Sequence, residues 1–381
     1  MAVPIHWQDP FSSYRSPLFV SKYFSSLGED EKFILKECLE ELGINEEFPN
    51  TLFDYARFLK VLDLWNLEIE VRQWITFKLI DSEIFYEIEM YHIINLLFKL
   101  FIESGANKQF FSRIQYLSLE EISDNNIEST VALLKALAKS TKKISTIELD
   151  YFDSDYEPQI FHALIYIIKS QEQLRLFSLV GDYSTEFHGI ILALEKTLRI
   201  RNCSTKPLKL LDYKVSTLEV DDCQIDAQAM ILIFEKSGIL LQRLKFETKG
   251  DEFQEELLLL EALKFFCPNI TYLSIYGILF SQQVLEPIEI LPLTLQYFIL
   301  GGTWLEPYTD ILFNHCNAPL KKMGIYHLNK RISKALVEFC KRNKTLNYVG
   351  VFKYLGLDDN TKKELETYVE LVPYNDIVVD H

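Results

Sequence analysis

A six-residue pattern, apolar, two of any kind, apolar, one of any kind, apolar, recurs nine times between Ile114 and Val351 and limits the fold more than any other feature. The copies are IQYLSL (from Ile114), ISTIEL (Ile144), LRLFSL (Leu174), VSTLEV (Val215), LQRLKF (Leu241), ITYLSI (Ile270), LQYFIL (Leu295), LKKMGI (Leu320) and LNYVGV (Leu346). Their starts are separated by 30, 30, 41, 26, 29, 25, 25 and 26 residues. Apart from one insertion these lie close to the roughly 20 to 29 residues of leucine-rich repeats. An earlier copy, LKVLDL (Leu59 to Leu64), precedes the first by 55 residues and reads either as an opening repeat followed by a helical insertion or as part of a cap.

Between the copies lie segments with helical apolar spacing: STVALLKALAKS, EPQIFHALIYIIKS, EFHGIILALEKTL, FQEELLLLEALKFF and RISKALVEFCKR. Each unit is therefore a short strand followed by a helix. Side chains alternate along a strand, so the first, fourth and sixth motif residues enter a core shared with that helix. At about 1.5–3 kcal/mol per fully buried aliphatic side chain, three of them cannot offset the ordering of a whole repeat. Neighbouring repeats must stack to be stable. The expected fold is α/β, a leucine-rich-repeat solenoid (horseshoe) with a parallel inner sheet, outer helices and a helical N-terminal cap.

Expected divisions are 1–57 as junction and N-terminal cap, 58–113 as opening repeat with helical insertion, 114–357 as the repeats and 358–381 as the C-terminal cap. EDEKFILKECLEELG starts with acidic residues and ends at Gly43, as a helix of about three turns does. In TKKELETYVELVPYNDIVVD a helix is expected, then Pro373 as a stop, then a possible edge strand from Ile377 to Val379. RNCSTKPLKLLDYK accounts for the 41-residue offset and reads as a surface loop, although LKLLDY nearly matches the motif.

The six cysteines (Cys38, Cys203, Cys223, Cys267, Cys316, Cys340) form no CxxC pair. Buried thiols at helix-to-strand corners fit their placement better than disulfides or zinc. With 39 basic and 55 acidic residues the net charge is −16, and no dense Lys/Arg run offers a phosphate-binding surface, so nucleic acid is not expected as a partner. No apolar run reaches the length of a membrane span, and the N-terminus lacks signal-peptide layout. A cytoplasmic or nuclear location is expected, with no membrane association.

The Cys267-Pro268-Asn269 corner before a strand resembles the cysteine-containing repeats of F-box/leucine-rich-repeat proteins. The opening VPIHWQDPF, with Val3, Pro4, Trp7, Pro10 and Phe11, is similar to the segment joining F-box to repeats in expanded fungal F-box-like families. The resemblance implies that the repeats present a protein substrate to a cullin-type ubiquitin ligase. The F-box helices, which would dock the ligase adaptor, are expected to be missing or truncated, so that adaptor is a partner only with an F-box upstream. Trp7 and Phe11 are expected to pack on the first helices. A ligase-independent repeat scaffold or sensor is the alternative.

The third, fifth and seventh motif residues point away from the core and would line the concave face. That face reads as acidic early, at Glu148 and Glu219, basic at Arg243 and Lys245, and aromatic late, at Tyr272, Tyr276, Tyr297, Tyr326, Tyr348 and Phe352. Aromatic side chains give large contact area at low entropic cost, which makes this stripe the expected partner-binding site for a polypeptide with basic and apolar portions. The plainer alternative is aromatic residues stacking across a sheet.

No catalytic motif of the HExxH, GxSxG or GxxxxGK[ST] type occurs, so no enzyme activity, cofactor or metal is expected. The reading of another class is a hydrolase or nucleotide-dependent enzyme hidden in 65–113 or 201–214, but neither segment spaces a nucleophile and base recognisably. Asp150, Asp153, Asp155 and Glu157 lack the spacing of a calcium loop. His327 reads as a surface or edge residue after a strand, and Gly301-Gly302 as a turn.

Overall fold

The computed structural model describes residues 8–9, 11, 18–25, 28–41, 43–49, 58–79, 93–95, 98, 102, 111–120, 127–152, 157–181, 197–201, 205, 215–223, 225–247, 256–277, 291–301 and 313–377. The chain divides into two compact units, 1–185 and 186–381, a division that falls inside the repeat block expected over 114–357.

In the first unit four strands, β1 (Val61–Asp63), β2 (Tyr116–Glu120), β3 (Thr146–Phe152) and β4 (Leu176–Gly181), pair in sequence order and all in parallel. LKVLDL is thus a strand in the same ladder, directly beside β2. Helices α1 (Leu18–Phe24), α2 (Glu29–Glu41), α3 (Leu64–Lys78), α4 (Ile127–Ser140) and α5 (Glu157–Ser170) complete this unit's named elements. Helix α2 ends at Gly43, whose φ of 77° is left-handed backbone that glycine adopts without a Cβ penalty. Asp63 caps α3 by accepting from the Asn66 amide at 2.9 Å.

An aromatic knot ties the N-terminal helices to α3. The fully buried Trp74 ring stands 5.2 Å from Phe24, and its Nε1 donates to Ser21 Oγ at 2.7 Å. Phe11 is buried with its ring 5.1 Å from Tyr23, as expected of it. Val3, Pro4, Trp7 and Pro10 lie outside the described residues, as does most of 65–113 beyond α3.

In the second unit eight parallel strands follow in order: β5 (Thr197–Arg201), β6 (Thr217–Asp221), β7 (Arg243–Glu247), β8 (Tyr272–Tyr276), β9 (Tyr297–Gly301), β10 (Lys322–Asn329), β11 (Tyr348–Leu355) and β12 (Glu370–Pro373). Its helices are α6 (Ala227–Ser237), α7 (Glu256–Phe266), α8 (Lys330–Arg342), α9 (Asp359–Glu366) and α10 (Tyr374–Ile377). The fourth-position row Leu198, Leu218, Leu244, Leu273, Phe298, Met323 and Val349 is buried throughout. The first unit has the same row in Leu62, Leu117, Ile147 and Phe177. This is the α/β leucine-rich-repeat architecture, with parallel strands that stack repeat on repeat.

Corner polar groups are tied to the preceding repeat. Asn269 Nδ2 donates to the Ile239 carbonyl at 2.8 Å, and Asn343 Nδ2 to that of Ala318 at 2.6 Å. Cys223, Cys267, Cys316 and Cys340 are buried free thiols; burial pushes Cys267 up to about 12 and Cys340 to about 11, which keeps them protonated and unreactive.

Several expectations fail locally. Strand β5 replaces the end of the expected helix EFHGIILALEKTL and splits the 41-residue offset into repeats of 21 and 20 residues, counted from Leu176 to Thr197 and on to Thr217. Glu195 stands where the motif's first apolar residue would be, although Leu198 and Ile200 fill its fourth and sixth positions. The remaining 201–214 loop lies outside the described residues except Arg201 and Thr205. Gly301 closes β9, while Gly302 lies outside the described residues, and His327 lies within β10, because β10 and β11 run for eight residues where β8 and β9 run for five. At the C-terminus the final strand is Glu370–Pro373, with Pro373 on the outer strand, where a missing N–H is tolerated. Ile377 belongs to α10 instead, and Val378 and Val379 lie outside the described residues.

Leu244, fully buried in the middle of this row, provides a direct test of the stacked core. Leu244→Ala is expected to destabilise the chain by about 2–5 kcal/mol, read as a lower urea midpoint at unchanged slope.

Candidate protein-binding face of the sheet

The outward row of motif residues differs sharply between the units. In the first unit Glu148 accepts the Tyr116 hydroxyl at 2.6 Å, across the β2–β3 pair. Burial, then that carboxylate, pushes the Tyr116 hydroxyl well above its ordinary range, so it remains a donor. Glu148 is thereby half-buried and committed to a neighbour.

The other nine expected site residues lie in the second unit. There the newly found strand β5 contributes Arg199 and Arg201 to the same face. Arg199 Nε reaches Glu219 at 2.6 Å, and Arg243 Nε approaches the other oxygen of Glu219 at 3.0 Å. Arg201 meets Asp221 at 2.7 Å, while Lys245 bridges Asp221 at 3.8 Å and Glu247 at 3.1 Å. Arg243 and Lys245, expected as a basic patch, are therefore engaged by carboxylates within the sheet. Four cations stand against three carboxylates, and the Glu219 side chain is only 6% exposed.

Burial alone would push the Asp221 carboxyl up, but hydrogen bonds with Glu247 and Arg201 and the nearby cations outweigh it and hold it low. Glu247 moves the other way: burial, then its hydrogen bond with Asp221 and that group's charge, raises its carboxyl against the pull of Lys245. The two carboxyls divide the cost of sitting side by side.

Beyond Arg243 the third-position row becomes aromatic. The Arg243 guanidinium lies 3.7 Å over the Tyr272 ring, and Tyr272 stands 6.3 Å from Tyr297. Lys322 Nζ sits between Tyr297 at 5.9 Å and Tyr348 at 5.7 Å. Such alternation of cation and ring stabilises the sheet surface itself. The seventh-position row forms a second run: Tyr276 to Tyr326 at 6.4 Å, then Tyr326 stacked on Phe352 at 4.4 Å and 9°.

Exposure decides what remains available. Tyr272 is 8% exposed, covered in part by Ile377, so its ring is closed to a partner while that residue is in place. Tyr348 at 38% and Phe352 at 56% stay open. Tyr354 at 44% joins them on the extension of β11, a residue the motif never reached because it stops at its sixth position. The open part of the stripe is thus the β10–β11 end.

Among the described residues no group of three or more His, Cys, Asp or Glu side chains is placed to hold a metal ion, and no helix is long and apolar enough to cross a membrane.

Opposing shifts in one buried carboxyl pair give a pH test. A raised folded-state carboxyl makes ionisation cost more in the folded than the unfolded chain, so Glu247 subtracts stability as pH rises through its raised value. Glu247→Gln is therefore expected to gain stability relative to wild type between about pH 4 and pH 7, measured by urea unfolding at each pH. A constant difference across that range would contradict this placement of charge.

No family model matches the chain, and no curated protein matches it either. Among solved structures, a Bacteroides fragilis protein determined by structural genomics matches at 13% identity with a TM-score of 0.38, over 70% of this chain and 76% of that one. The structure of the Rad7 and Elc1 complex in yeast matches at 14% identity with a TM-score of 0.36, over 92% of this chain and 94% of that one. The chain is similar to both, and scores below 0.5 carry no conclusion about partners.

Proposed function

We propose that this chain is a protein-binding repeat module that recognises a polypeptide substrate for an F-box-type ubiquitin ligase. The observation that carries the binding part is the cluster of open rings on β11, with Tyr348, Phe352 and Tyr354 exposed on a sheet face whose β5–β7 charges are largely engaged with one another. Large apolar rings left open on an ordered strand lose little rotamer entropy on contact and bury much area. The internally compensated ladder offers a partner few free charges, which favours an apolar and aromatic segment over a strongly basic one. The ligase part rests on the likeness of the Cys267-Pro268-Asn269 corner and of the opening VPIHWQDPF to F-box/leucine-rich-repeat proteins.

Two experiments test the two parts. For binding, the triple variant Tyr348→Ala, Phe352→Ala, Tyr354→Ala is expected to lose captured partners at least tenfold in quantitative pull-downs while its circular dichroism is unchanged; undiminished capture rules out this face. For the ligase, a chain extended upstream by its genomic reading frame is expected to co-purify a cullin-ligase adaptor. A partner captured without any adaptor instead marks a ligase-independent scaffold.

A further inference from the structure

The outward face of the second unit carries side chains at most positions, but two of its strands leave a gap in register. Gly324 on β10 pairs with Gly350 on β11, in the row that holds Ser274, Ile299 and Val372 elsewhere. The gap is filled by the chain itself. Helix α10, the turn Tyr374-Asn375-Asp376-Ile377, lies on it, and a Cβ on Gly350 would stand 2.5 Å from Ile377 Cγ1 and 3.3 Å from Tyr374 Cα. A Cβ on Gly324 would stand 3.1 Å from Tyr374 Cε2.

Both glycines have ordinary extended backbone, so it is the missing side chain and not a special φ that the turn requires. Ile377 forms a buried cluster with Tyr272 and Ile299, flanked by Tyr297, Val372 and Tyr374. Asn375 and Asp376 are exposed. The turn is thus anchored through two side chains three positions apart. A single helical turn has no stability of its own, so its conformation depends on the groove that receives it. Its Tyr374 ring meets Phe352 edge-on at 6.3 Å, yet Phe352 stays 56% exposed, so the receiving surface is larger than its present occupant.

We propose that the Gly324–Gly350 groove is a docking site for a helical turn of a partner protein carrying an aromatic residue and, three positions later, a β-branched aliphatic residue, and that the Tyr374–Ile377 turn is a displaceable occupant held in cis. This deepens the protein-binding reading above and rests on it. A partner with the same two anchors gains what the C-terminal turn gains and adds contact with Phe352 and Tyr354. Until displaced, the C-terminus keeps the groove closed to weaker ligands.

The test uses a chain ending at Pro373, which keeps β12, and a fluorescein-labelled peptide of residues 374–381, YNDIVVDH. Fluorescence anisotropy is expected to show saturable binding to the shortened chain and binding at least tenfold weaker to the full chain, whose groove is filled. Gly350→Leu in the shortened chain is expected to cost at least tenfold, as is replacing Tyr374 and Ile377 of the peptide by Ala. An unrelated helical peptide with Phe and Val at the same spacing is expected to compete. Absence of binding to a folded shortened chain, or equal binding to the full chain, overturns the proposal. Should the shortened chain be unfolded alone, excess peptide is expected to restore its cooperative melting, and failure to do so also overturns it. Partner capture that is lost in the β11 triple variant but equal for the full, shortened and Gly350→Leu chains removes the groove proposal and leaves the binding reading standing; peptide binding without any partner capture overturns both.

Discussion

Strand after strand, the repeats are joined by one shared carbonyl. In the second unit Ser216 accepts from the amides of Gln242 and Arg243, Gln242 from Thr271 and Tyr272, Thr271 from Gln296 and Tyr297, and so on through Lys321 to Asn347 and Tyr348. The first unit begins the same way, with Gln8 accepting from Lys60 and Val61 and Lys60 from Gln115 and Tyr116. This fixes the register of each repeat on the one before it, because a slip of one residue would turn the buried row outward. Everything on the outward face follows from that registration, since side chains from repeats far apart in sequence meet only if their strands start level.

The paired charges illustrate the dependence. Glu219 is satisfied because Arg199, twenty residues earlier, and Arg243, twenty-four residues later, are brought against its two oxygens. A buried carboxylate without such partners would be strongly destabilising. The arrangement consumes charges that would otherwise look like a binding patch, and it moves the available surface toward the aromatic end. There the same registration places Gly324 beside Gly350 and makes room for Ile377 and Tyr374. A face that would be open in a bare stack of repeats is therefore partly occupied by the chain's own Tyr374–Ile377 turn.

How far this was legible depends on whether a feature is local. The fourth- and sixth-position apolar residues announce themselves because burial demands the same chemistry in every repeat; Leu244, Leu273 and Phe298 lie where the pattern puts them. Strand β5 escaped because Glu195 takes the place of the first apolar residue, although Leu198 and Ile200 keep the fourth and sixth; its outward charges Arg199 and Arg201 are met by Glu219 and Asp221 on the next strand. Tyr272 looked like a contact residue because its position is outward. It is buried because Arg243, Tyr297 and the C-terminal turn cover it from three directions.

The sequence by itself determined the repeat, its inward rows, the helices α4, α5, α7 and α8 between strands and the direction in which Tyr348 and Phe352 point, since each follows from periodicity within a few residues. Tertiary structure alone decided which outward residues are free, because exposure depends on what neighbouring strands and the chain terminus bring to the same place. It also decided the meaning of Gly324 and Gly350. In the sequence they are weak strand residues; in the sheet they are the floor beneath Tyr374 and Ile377, where a Cβ would be tight at Gly324 and would collide with Ile377 at Gly350.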